Sequence, residues 1–79
     1  MYHDLHKSFD VNLSNFWNWQ RLADSQKNPH RKQDLLTATL IAGKLKMIAS
    51  ILSKEWGDTS RNDEATEVVR WCEETAETI

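Results

Sequence analysis

His3 and His6 stand three residues apart, a spacing that puts two imidazoles on one face of a helix. With Asp4 or His30 they could in principle bind a divalent metal. A structural zinc site needs four ligands at recognisable spacing, and the single cysteine, Cys72, supplies little. A catalytic thiolate needs a base or a positive charge beside it. Arg70 is close in sequence to Cys72 but points elsewhere on a helix, and no histidine is near in sequence. Cys72 is therefore read as a small buried hydrophobe. Lys27, His30, Arg31 and Lys32 cluster where a helix is expected to begin, and helix starts favour phosphate. Lys27, Arg31 and Lys32 are the candidate phosphate-binding residues, and a DNA-binding reading would add Arg21, Lys44 and Lys46. Against it stand a net charge of −2 and the lack of a short turn before a basic recognition helix.

Glu64, Glu67, Glu73, Glu74 and Glu77 crowd one segment near the C-terminus. In kind, though not in motif, these acids resemble the carboxylate clusters of helical magnesium-dependent nucleotide pyrophosphatases. That resemblance implies metal ions held between acids from two helices. Here one helix supplies nearly all of them, and its neighbour adds just Asp34 and Glu55. A two-helix cage is then available only between subunits, and the ordinary reading is a solvated acidic face. No catalytic residue, metal ligand or cofactor is assigned.

The elements that must position these groups follow from a few local signals. The chain has 79 residues with two glycines and one proline, a composition that favours helix over turn-rich β architecture. Asn28-Pro29 and Trp56-Gly57 bracket the longest helix signal. Asn is a good N-cap, Pro suits the first helical position and Gly closes a helix in the left-handed region. The spacing predicts helix 1 over about 10–27, with Asp10 as its cap and Leu5 and Phe9 as a possible extension. Helix 2 is predicted over about 29–56 and helix 3 over about 62–77, capped by Ser60 or Asn62. With three glutamates against the helix dipole and no basic group, the last turn of helix 3 is expected to fray.

Helix 2 carries more apolar surface than one face needs. Ala38, Ala42, Leu45, Ala49, Leu52 and Trp56 make its principal stripe, and Ile41 and Ile48 widen it. Leu40, Met47 and Ile51 widen it further, with Leu36 at the edge. The arc spans roughly 220°, taking ~100° per residue, whereas a surface helix needs little more than about 100°. Gly43 interrupts this helix at a cost of ~1 kcal/mol relative to Ala, which suggests close approach by a neighbouring backbone or ring. No run approaches the ~20 apolar residues needed to span a bilayer, so no membrane partner is expected. One cysteine and no signal-peptide pattern fit a cytoplasmic chain.

Charge is unevenly placed. Residues 20–54 hold seven cations (Arg21, Lys27, Arg31, Lys32, Lys44, Lys46, Lys54) against Asp24 and Asp34, a net of +5. Residues 55–79 hold Arg61 and Arg70 against eight acids, a net of −6. Such halves attract each other within a chain or between two.

Together these features predict an all-α, antiparallel three-helix unit, a single domain that dimerises through helix 2. Leu40, Ile41, Lys44, Met47, Ile48 and Ile51 are the expected dimer interface. The expected function is a small non-enzymatic protein-binding module, such as an accessory regulator or inhibitor of the kind frequent in phage and mobile-element genomes. Trp19 or Trp71, taken as exposed, would anchor another protein, and Glu67, Glu73, Glu74 and Glu77 would face a basic surface on it. A nucleic-acid-binding regulator and a metal-dependent nucleotide hydrolase are the alternatives.

Overall fold

The computed structural model describes residues 4–78. Three helices, α1 (Asp4–Asp24), α2 (Arg31–Trp56) and α3 (Asn62–Thr78), make up the fold, with no strand among the described residues. The order is antiparallel, with α2 in the centre. Backbone contacts join α1 to α2 and α2 to α3, whereas α1 and α3 do not pack backbone to backbone. Side chains close part of that gap: the rings of Phe16 and Trp71 meet edge to face, 5.9 Å apart at 88°.

The principal stripe of α2 forms the core as its spacing requires. Ala38, Ala42, Leu45, Ala49 and Leu52 are all buried, joined by Phe9 and Phe16 from α1 and by Ala65, Val68 and Cys72 from α3. Alanine at three of these central positions keeps the helix axes close. Phenylalanine from one side and valine from the other fill the space between larger residues. Trp56, predicted on the same stripe, is 53% exposed. It is the last residue of α2, where the chain turns away and the flanking helices no longer enclose the stripe.

Three boundaries differ from the sequence expectation. α1 begins at Asp4, not near Asp10, because Leu5 and Phe9 continue the apolar spacing backwards onto the core. Asp10 is mid-helix, with Oδ1 3.6 Å from Arg61 Nη2. α1 stops at Asp24, three residues before Lys27. α2 starts at Arg31, with His30 at the cap position and no side-chain cap. Asn28 closes the turn instead: its Oδ1 accepts the His30 N–H at 2.9 Å, and its Nδ2 donates to the Leu22 carbonyl and the Asp34 carboxylate. The residue chosen as a cap thus clamps the α1–α2 corner, since the following proline keeps it out of the helical region.

The other ends follow expectation more closely. Gly57 adopts φ +66°, the left-handed region, and its N–H donates to the Ser53 carbonyl while that of Asp58 donates to Leu52. α3 begins at Asn62 and runs to Thr78, so its last turn is helical despite the glutamates. Thr78 donates its hydroxyl to the Thr75 carbonyl at 2.9 Å, satisfying one of the carbonyls that a helix end leaves free.

α2 is 26 residues long, about 39 Å at 1.5 Å per residue. One window of it has a mean hydropathy of 1.6, long and apolar enough to cross a bilayer by length and composition alone, with a third of that window buried within the fold. Counting uninterrupted apolar residues missed this property, because Lys44, Lys46 and two threonines break the run without lowering its average far.

Candidate docking surface

The outward side of α2 is an apolar feature that the fold leaves uncovered. Leu36, Leu40 and Met47 are 66%, 71% and 63% exposed. With Gly43 they follow steps of four, three and four, so they lie on one line along the helix. Isolated exposed leucines are ordinary surface, but a contiguous apolar stripe marks an interaction site. The stripe exists because α1 and α3 take the two flanks of α2 and neither reaches its outer side. Lys32, Lys44, Lys46 and Lys54 stand exposed around it.

Beside the stripe, between α2 and α3, lies an open groove of about 670 Å³. Leu35, Leu36, Thr39, Ala42 and Gly43 form its α2 wall, and Val69, Cys72 and Ala76 its α3 wall. Lys32, Lys46 and Glu73 contribute the charge. Small side chains, Thr39, Ala42, Gly43, Cys72 and Ala76, leave space between the larger Leu35, Leu36 and Val69. A smaller hollow of about 220 Å³ continues along α3, lined by Lys46, Thr66, Val69, Arg70 and Glu73.

Gly43 has open space around its Cβ direction, with no atom within 4 Å. The close neighbour that its presence suggested is therefore not found among the described residues. Cys72 is 4% exposed on the groove wall. Burial pushes its thiol pKa up, as does the nearby Glu73 carboxylate, against an opposing hydrogen bond with Thr39. Such a thiol is a poor nucleophile.

The expected dimer residues separate on this surface. Leu40, Lys44 and Met47 are exposed, Ile41 and Ile51 are half-buried, and Ile48 is a core residue. Ile48 faces inward because it stands three positions after Leu45 and four before Leu52, both buried. The tryptophan anchors also need correction. Trp19 and Trp71 are half-buried and packed against the core. Trp17 and Trp56 are the exposed pair, at 43% and 53%. Trp71 turns inward because Phe16 offers it an edge-on contact across the α1–α3 gap.

Glu67, Glu73, Glu74 and Glu77 are all exposed along α3, and Glu67 accepts a hydrogen bond from Arg70 at 3.3 Å. Among the described residues no three His, Cys, Asp or Glu side chains come together as a metal site. His3 lies outside the described residues, while His6 is paired with Asp58 at 3.0 Å. Of the three candidate phosphate ligands, Arg31 donates its Nε to the Ala23 carbonyl at 3.0 Å and so closes the end of α1. Lys32 belongs to the groove, and Lys27 is exposed in the connecting turn.

Asp58, which gathers His6, Ser60 and Arg61 around one carboxylate, and the groove were not among the features singled out in the sequence. Asp58 lies in a stretch rich in cap residues, which is a local signal. Its contact with His6 spans 52 residues and has none. No protein-family model, curated protein or solved structure matches this chain.

Proposed function

We propose that this protein is a small non-enzymatic protein-binding module, an accessory regulator or inhibitor that works by docking. The observation that supports the reading is the line of exposed Leu36, Leu40 and Met47 beside an open apolar groove. Covering such a stripe releases ordered water at about 25 cal/mol per Å² of apolar surface. The surrounding lysines and the α3 glutamates then set register and exclude like-charged surfaces. Two small helices flanking a longer one make an inexpensive way to hold one apolar line rigid and presented outward.

A photo-reactive amino acid at position 40 tests this in the cells that make the protein. A discrete polypeptide adduct is expected from position 40, lost when Leu36 and Met47 are both changed to Asp. Position 14 on α1, exposed and away from the stripe, should give none. Absence of any adduct at positions 36, 40 and 47 removes the docking reading.

A further inference from the structure

We propose that the α2 stripe is covered by a second copy of this chain, in a two-fold contact whose helices cross at Gly43. This rests on reading the face as a docking surface and names its occupant.

The first argument is charge. Whatever covers the stripe must be apolar along one line and acidic beside it, because lysines border the line on both sides. The chain itself fits that description. Its residues 20–54 carry +5 and its residues 55–79 carry −6, and Glu73 stands on the groove wall next to the stripe. Among the described residues no ion pair joins an α2 lysine to an α3 glutamate within one chain. These opposite charges therefore remain available between chains. A two-fold contact is self-complementary, so each copy sets its Glu73 against a lysine that borders the other's stripe, Lys44 or Lys46, and receives the same in return. An anionic bilayer would satisfy the lysines but would meet Glu73 and its neighbours as like charges.

The second argument is the position of Gly43. Two crossing helices approach closest at one point. Gly43 lies midway along the stripe, between Leu40 and Met47, with Leu36 and Ile51 toward its ends. No atom among the described residues explains the missing side chain. A second α2 crossing there sets backbone against backbone, places Leu40 and Met47 on either side of the crossing, and lets Lys32 and Lys54 diverge into solvent.

Sedimentation of the full chain over a concentration series tests the proposal. The expected mass at micromolar concentration is twice 9.2 kDa. Leu40→Asp, at an exposed position, should halve the mass while leaving the helical circular dichroism unchanged. Gly43→Leu, for which the single chain has room, should do the same. A Lys44→Glu/Lys46→Glu chain and a Glu73→Lys chain should each associate about tenfold more weakly, given two symmetric charge contacts made repulsive. Mixing the two should restore association as a heterodimer. A 9.2 kDa mass at the highest attainable concentration overturns the proposal. So does a dimer indifferent to Leu40→Asp and Gly43→Leu. If the chain stays monomeric but cross-links from position 40 to a different polypeptide, the second copy is excluded and docking survives. A monomer that instead sediments with anionic vesicles and gives no polypeptide adduct removes both.

Discussion

His6 Nε2 lies 3.0 Å from Asp58 Oδ2, tying the first turns of α1 to the corner between α2 and α3 across 52 residues of chain. Arg61 strengthens the same corner, with Nη1 3.1 Å from Asp58 Oδ2 and its guanidinium 5.6 Å from the centre of the Phe9 ring. The other Asp58 oxygen accepts the Ser60 hydroxyl at 2.6 Å and the Ser60 N–H at 3.1 Å. One carboxylate thus holds the start of α3 and, through His6, the α1 end of the bundle.

The Ser60 hydrogen bonds, helped by His6 and Arg61, lower the Asp58 pKa from 3.8 to about 2. A carboxyl group with a lowered folded-state pKa adds stability above its unfolded value, and this is lost as pH falls through the folded value. Asp58→Asn should therefore lower the melting temperature at neutral pH. The difference from the natural chain should shrink as pH drops below about 4 and vanish only once pH lies below the folded value of about 2. Thermal melts of both chains across that range check it. A difference that persists unchanged at pH 2 would mean that shape, not charge, holds the corner.

Phe16 and Trp71 form a side-chain contact that bridges α1 and α3. Edge-to-face pairs contribute about 0.5–1.5 kcal/mol beyond the area they bury. A double-mutant cycle of Phe16→Leu and Trp71→Leu, followed by urea unfolding, should return a coupling in that range. Additive losses would show that each ring serves α2 independently.

Leu45 and Leu40 are five residues apart on one helix and face opposite environments, 0% and 71% exposed. Leu45→Ala removes core volume that a small domain cannot refill and should cost about 2–5 kcal/mol, enough to unfold much of a 79-residue chain at ambient temperature. Leu40→Ala should stay within about 0.5 kcal/mol in dilute solution. Chemical denaturation below the association range distinguishes the two.

Periodicity alone made much of this arrangement legible. The alternating steps of four and three from Ala38 to Leu52 give the buried seam of α2, and the surplus apolar arc gives the exposed Leu36, Leu40 and Met47. Residues that serve two local roles were harder to read. Asn28 has the chemistry of an N-cap, yet next to Pro29 it spends that chemistry on a turn. Asp10 has cap chemistry too, but Leu5 and Phe9 bury enough surface to carry the helix past it. Trp19 and Trp71 could not be sorted from Trp17 and Trp56, since a tryptophan covers area on either side of a helix and its orientation depends on the facing element. The His6–Asp58 contact joins two segments whose proximity is set by α2 as a whole, and neither residue announces the other.

Cys72 gives a direct reading of the groove. Its thiol is 4% exposed on the α3 wall, and burial holds its pKa above the usual cysteine value. Both properties slow attack by thiol reagents, because the thiolate is the reactive form and must be reachable. In the native chain, labelling by a disulfide reagent should be much slower than for a free thiol at the same pH. Its rate should rise with urea in step with unfolding measured by circular dichroism. Because a second chain over the groove adds another barrier, Leu40→Asp should accelerate labelling at concentrations where the natural chain associates, and the two rates should converge on dilution. Equal rates at every concentration would place the groove outside the contact, leaving the α2 stripe alone to hold the copies together.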